Sequence, residues 1–186
     1  MNDTQKKFLL RTAGDTIRAV VTGKDAEKIE VTDDQLDANC GCFVTLKNKD
    51  QLRGCIGQFT SQKPLIELVA EMAKASATSD PRFLADPITA DELQQLDIEI
   101  SVLSPLRLVD DPLSLRLGID GIYIKRGGAC GCFLPQVATE TGWTRQQFLS
   151  YCCSHKAGLS DDAWQDAGTE VYFFTAEVFG SPFNEV

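Results

Sequence analysis

The sequence predicts an α+β fold, mostly antiparallel sheet with flanking helices. Segments that alternate with period two interleave with segments of helical spacing along the 186 residues. Several strand pairs are joined by short turns, as hairpins are, whereas a parallel sheet needs long crossovers. The composition, 43% apolar and 24% charged, is that of a chain able to bury a core. The length fits one domain, or one domain with two lobes.

Residues 4–22 are predicted helical, with Leu10, Ala13, Ile17, Val20 and Val21 on one face. A polar stretch over 23–37 follows. Residues 43–46 and 52–56 read as two strands joined by a turn at Asn48-Lys49-Asp50. Pro64 suits the first turn of a second helix, which carries Leu65, Leu68, Val69, Met72 and Ala73 and ends before Asp80-Pro81. Thr89 and Glu92 form a T-x-x-E capping box for a short helix. Ile98, Ile100 and Val102 alternate with Glu99, Ser101 and Leu103, as in a strand. Asp110-Asp111-Pro112 and Asp120-Gly121 mark turns. Residues 122–125 and 130–134 form a hairpin across Gly127-Gly128. Residues 135–141 make a short helix that Gly142 closes. The T-x-x-Q box of Thr144 and Gln147 opens a longer helix that stops at Gly158. Residues 171–179 read as one final strand, central because it alternates poorly with polar residues.

Charge and cysteines bound the function. Acids outnumber bases 27 to 18, for a net charge of −9. A nucleic-acid binder usually has the opposite balance, and the best basic stretch, residues 47–63, holds four bases and one acid. No nucleic-acid partner is expected. The single histidine, His155, excludes a His-rich metal site within one chain. No apolar run follows Met1 as a signal peptide would require. The most apolar stretch, residues 65–75, carries Glu67, Glu71 and Lys74, so no membrane span is expected. A cytoplasmic, reducing location follows, with the seven cysteines as free thiols.

The sharpest motif is Leu52-Arg53-Gly54-Cys55-Ile56-Gly57. Strand alternation puts Leu52 and Ile56 on a core face, and Arg53, Cys55 and Gly57 together on the other. Gly54 and Gly57 leave backbone bare, so that a ligand or another chain segment can approach. A guanidinium about 7 Å along the strand favours thiolate and can hold a carboxylate or phosphate. That is the arrangement of a nucleophile or of an anion-binding strand. The alternative is that Cys55 fills a small space under a helix and Arg53 makes a surface ion pair.

This motif resembles the signature of the AMMECR domain family, whose prokaryotic members are known as AmmeMemoRadiSam system protein A. Further blocks are similar in the same order. They are Phe43-Val44-Thr45-Leu46, Asp80-Pro81-Arg82-Phe83, the strand over 98–105, Leu134-Pro135-Gln136-Val137-Ala138, Gly142-Trp143, Lys156-Ala157-Gly158-Leu159 and Ala176-Glu177-Val178-Phe179. The resemblance implies two α+β lobes with the signature beside the cleft between them. It implies partners as well: a Memo-like protein and a radical S-adenosylmethionine protein. This chain has no Cys-x-x-x-Cys-x-x-Cys, so it is not itself the radical enzyme, and no cofactor is assigned to it.

Other polar residues are candidates to join the signature. Glu99 shares a strand face with Ser101 and could pair with Arg53, though a lone carboxylate is more often solvated. Arg82, in the Asp-Pro-Arg turn, could meet the same anion or simply hold its loop. Cys152, His155 and Lys156 share a helix face, where the basic pair also offsets the helix dipole. Cys-Gly-Cys occurs at 40–42 and 130–132, where the family's residues are usually small or aliphatic. Four thiols could converge on a metal if the strands met, but zinc knuckles use wider spacing, so packing is favoured and no metal site is assigned. Two functions follow. One is an enzyme or modifying subunit acting on a small anionic substrate, with Cys55 as nucleophile or contact thiol, Arg53 as anion clamp, and Glu99, Arg82, Ser101, Gly54 and Gly57 around them. The other is a non-catalytic adaptor for the Memo-like or radical partner.

Overall fold

Asn2 starts the first helix with an unforeseen capping box. Its side chain accepts from the Gln5 N–H at 2.9 Å, and the Gln5 side chain accepts from the Asn2 N–H at 2.9 Å. The structure is a computed structural model describing residues 1–24, 36 and 40–186. The polar stretch expected over 23–37 therefore lies outside the described residues, apart from 23, 24 and 36. The elements are α1 (Asp3–Val21), β1 (Cys42–Asn48), β2 (Gln51–Gln58), α2 (Leu65–Thr78), β3 (Leu96–Leu103), β4 (Arg107–Leu108), β5 (Gly121–Arg126), β6 (Ala129–Phe133), α3 (Pro135–Thr141), α4 (Arg145–Tyr151), β7 (Glu170–Phe174) and β8 (Ala176–Pro182). Among the described residues, four α-helices and two sheets make this the expected α+β fold. The chain divides into two compact units, Met1–Val102 with Glu177–Val186, and Leu103–Ala176. No helix among the described residues is long and apolar enough to cross a membrane.

The first sheet has the order β2-β1-β3-β8. Its central strands place Cys42, Val44, Leu46, Leu96, Ile98 and Ile100 in a core shared with Leu9, Ala13 and Ile17 of α1 and Leu65, Leu68, Val69 and Met72 of α2. The β1–β2 loop is two residues, Lys49 and Asp50, both left-handed at φ 49° and 67°. Such a turn matches the twist of its strands. The capping box expected at Thr89 yields only a single 3-10 turn, Leu93–Gln95. In β3 the alternation slips after Ile100, because Ser101 is buried and Val102 is not fully so.

The second sheet has the order β4-β7-β5-β6. Ile122, Ile124, Phe133, Val171 and Phe173 pack with Phe148 and Leu149 of α4. The expected β5–β6 hairpin turns at Gly127-Gly128, and Gly142 closes α3 in the left-handed region at φ 68°. Two expectations are corrected. The helix opened by Thr144 stays α-helical only to Tyr151 and continues as a π-helical segment, Cys152–Ala157, before Gly158. The single strand over 171–179 is two strands. Thr175 breaks it, accepting from the Ser104 N–H and donating its own N–H to Ser104 Oγ, both at 2.9 Å. β7 is inner in the second sheet, as expected for that half, whereas β8 ends the first sheet.

Candidate functional site

The signature strand carries a β-bulge. Register across β1–β2 runs Thr45 opposite Cys55 and Leu46 opposite Gly54, then shifts, with Lys47 opposite Leu52. Arg53 is the extra residue without a partner. Counted from the two-residue loop with no bulge, Cys55 would stand opposite the core residue Val44. The bulge moves it opposite Thr45, on the other face. Leu52, on the loop side of the bulge, stands across from Lys47, so the bulge parts it from Ile56, with which simple alternation puts it on the core face.

Arg53 consequently does not share a face with Cys55. Its Nε donates to Glu92 Oε1 at 2.6 Å and its Nη2 to Glu92 Oε2 at 3.0 Å. Its Nη1 donates to Asp86 Oδ2 at 2.7 Å and its Nη2 to the Asp86 carbonyl at 3.1 Å. The fork of a guanidinium is largely consumed by these bonds. Glu92 also accepts from Asn48 Nδ2 at 3.1 Å. Burial opposes ionisation of Glu92, yet the Arg53 and Asn48 bonds hold its carboxyl below the usual range. Sequence patterning does not reach Glu92 as a partner of Arg53, because its T-x-x-E position reads as a cap.

Cys55 is clamped through its backbone and flanked through its sulfur. Its N–H donates to Asp80 Oδ2 at 2.9 Å, and its carbonyl accepts from Arg82 Nη2 at 3.3 Å. Asp80 is 2% exposed and binds Arg82 through both oxygens, at 2.9 and 2.6 Å. The Arg82 guanidinium first, and the Cys55 and Arg82 N–H groups after it, hold the Asp80 carboxyl down at about 2. The next N–H, of Ile56, donates to Ser76 Oγ at 2.9 Å, and that hydroxyl donates to the Val44 carbonyl at 2.8 Å. At Cys55 the outer edge of β2 is thus satisfied by the Asp80 and Arg82 side chains, where an edge strand would otherwise invite pairing, while Ser76 of α2 bridges β2 to β1. The half-buried sulfur accepts from Thr45 Oγ1 at 3.2 Å, and the Arg82 guanidinium, bonded to the carbonyl of the same residue at 3.3 Å, is its neighbouring positive charge. The cation beside the thiol is Arg82, not Arg53.

Glu99 stands across from Thr45 on β3, so Cys55, Thr45 and Glu99 form one row over three strands. Two strand spacings separate Cys55 from Glu99 by roughly 10 Å. Glu99 pairs with Lys47 at 3.6 Å rather than with Arg53. Ser101 faces Phe43, which has Gly57 on its other side. Neither signature glycine leaves open backbone. An added Cβ at Gly54 would overlap the Ser76 carbonyl of α2, and one at Gly57 would overlap the Phe43 ring.

A cavity of about 50 Å³ beside Arg53 is lined also by Ser76, Asp80, Phe83 and Ile88, and Cys55 is not among its walls. It has room for a few waters, far less than a drug-sized ligand needs. Three of the four bases over 47–63 are paired, Lys47 with Glu99, Arg53 with Glu92 and Lys63 with Glu71. In the second unit, His155 stacks on Tyr151 at 5.2 Å, while Cys152 is fully buried and its thiol is pushed up by that burial. The two Cys-Gly-Cys strings belong to different sheets, Cys42 in the first and Cys130 and Cys132 in the second.

Comparison with known proteins places this geometry in a family. The sequence pattern of the AMMECR1 family matches residues 10–179. A protein of Methanothermobacter thermautotrophicus is 46% identical over 145 residues, spanning 75% of this chain and 74% of that relative. Protein PH0010 of Pyrococcus horikoshii is 39% identical over 190 residues, spanning 96% of this chain and 91% of its own. The crystal structure of that uncharacterized protein superposes with a TM-score of 0.87, covering 97% of this chain and 93% of the other. The pattern match, the identity and the shared fold together make this chain a member of the AMMECR1 family.

Proposed function

We propose that the signature presents Cys55 as a reactive or contact thiol to a small anionic substrate, with Arg82 rather than Arg53 as its cation. The observation that carries this reading is a half-buried sulfur that accepts from Thr45 Oγ1 while the Arg82 guanidinium is bonded to the carbonyl of the same residue. Donors and positive charge stabilise a thiolate over a thiol. Arg82 is 53% exposed at its side chain, so it keeps a face toward an incoming anion. Arg53 holds the bulge that brings the sulfur out of the core. A cytoplasmic, reducing compartment belongs to this reading.

Alkylation at neutral pH tests it, with sites read by peptide mass spectrometry. Cys55 reacts ahead of the other six cysteines, and it reacts faster with iodoacetate relative to iodoacetamide than it does in Arg82→Met. One nearby charge pair in a wet site is worth about 1 kcal/mol, so the preference falls roughly fivefold in that variant. Labelling of Cys55 no faster than a free model thiol removes the nucleophile.

A second reading, an adaptor for a Memo-like or radical S-adenosylmethionine partner, draws on Arg53. Its fork is spent internally, and the surrounding cluster sets two cations, Arg53 and Arg82, against three carboxylates, Asp80, Asp86 and Glu92. Such a cluster suits a rigid platform better than an anion trap. Co-purification with such a partner that survives Cys55→Ser favours this reading, and failure to bind either partner at micromolar concentration counts against it.

A further inference from the structure

β6 is an edge strand of the second sheet, and Cys130 and Cys132 lie two residues apart on it, hence on one face. Gly131 belongs to the opposite face, where the π-helical segment packs so closely that an added Cβ would stand 2.5 Å from the Ala157 nitrogen. That contact pins the strand and fixes the face to which both thiols belong. On the thiol face, Tyr123 of β5 stands directly across from Cys132, and Lys125 across from Cys130. The Tyr123 hydroxyl neighbours the Cys130 thiol; that neighbour first, and burial second, push the phenol up to about 12. Cys130 is exposed and Cys132 half-buried.

We propose that Cys130 and Cys132 form a two-thiolate site for a soft monovalent d10 metal ion, copper(I). Residues two apart on a strand are about 6.7 Å apart at Cα. Two metal–sulfur bonds of about 2.3 Å each span ~4.6 Å, which the side chains reach by leaning together. The same spacing sits at the long limit for a disulfide, so a bridging ion fits the strand better than an S–S bond. Thiolates select soft ions. Zinc wants four ligands, and among the described residues no group of three or more His, Cys, Asp or Glu could hold a metal ion. Copper(I) is content with two. Binding replaces two S–H protons, which leave to solvent, by one monovalent cation, so the complex carries one negative charge. Lys125 opposite Cys130 offsets that charge, loosely shared with Glu170 at 3.9 Å. The Tyr123 hydroxyl can donate to the bound sulfur as an outer-sphere partner.

The test is a titration of the reduced full-length protein with copper(I), without oxygen, against a chromophoric copper(I) chelator. One ion per chain is expected in the tightest class. Cys130→Ser and Cys132→Ser each weaken that class by about 100-fold or more, and Tyr123→Phe by about 10-fold, the scale of a lost outer-sphere hydrogen bond. Cys55→Ser leaves it unchanged, and far-UV circular dichroism checks that each variant stays folded. A double Cys130→Ser, Cys132→Ser variant that still holds one ion as tightly overturns the proposal. So does uptake that simply scales with the total number of thiols.

Discussion

β2 and β6 are both edge strands, in separate sheets, and both set a glycine beside a cysteine. Gly54 admits the backbone of α2 at Ser76, and Gly131 admits the π-helical segment at Ala157. At each place the missing Cβ lets a helix lie flat on a sheet edge, and the neighbouring cysteine turns to the opposite face. The surroundings then diverge. Around Cys55 the sequence supplies Arg53, Asp80, Arg82, Asp86 and Glu92, a closed set of ion pairs. Around Cys130 and Cys132 it supplies a tyrosine and a loosely paired lysine. One backbone device therefore serves two chemistries, and the local charge decides which.

Breaking the ion pairs should separate the two strands most. Arg53→Met leaves Glu92, only 15% exposed at its side chain, without its cation. The expected cost is about 3 kcal/mol in urea denaturation, since a lost partner strands a desolvated charge. Tyr123→Phe on the β6 side should cost less than 1 kcal/mol, as loss of one half-exposed hydroxyl group does. Equal losses would mean that the Arg53 cluster has no special weight.

The shared glycine device predicts the next effect. Gly54→Ala and Gly131→Ala should each cost about 2 kcal/mol, because a methyl group is forced against helix backbone. Gly128→Ala, with open space around it, should change far less. A neutral Gly131→Ala would show that the two strands do not share the device.

Acid should sharpen the contrast by the smallest amount. The Asp80 carboxyl is held at about 2 against a usual 3.8. Its folded value is lower than its unfolded one, so its contribution is complete above roughly pH 4 and is lost as the pH falls through about 2. That contribution is about 2 kcal/mol or somewhat less. Asp80→Asn should remove this part of the acid limb in pH-dependent denaturation. An unchanged acid profile would mean that Asp80 and Arg82 do not clamp Cys55.

Much of the fold is legible in the sequence. Both hairpins, α2 from Pro64 to Asp80, and the Thr144–Gln147 box follow from local turn and capping chemistry, which needs no distant partner. The site is less legible because its decisive feature is a register shift. Nothing local distinguishes Arg53 as a bulged residue; the partners that hold its guanidinium, Glu92 and Asp86, lie more than thirty residues downstream. Thr45 becomes the neighbour of Cys55 only after that shift. The break at Thr175 is hidden for a similar reason. The apolar run over 171–179 is continuous, and only the pairing with Ser104 divides it between two sheets.

That division governs the order in which the molecule can assemble on the ribosome. The first unit consists of Met1–Val102 together with Glu177–Val186. Its core includes Phe183, which is fully buried. A nascent chain with only its first hundred residues outside the exit tunnel therefore lacks both a border strand and a buried aromatic of this core. Local helices and the signature hairpin can form early, but this unit closes only after the intervening segment, residues 103–176, has been synthesised.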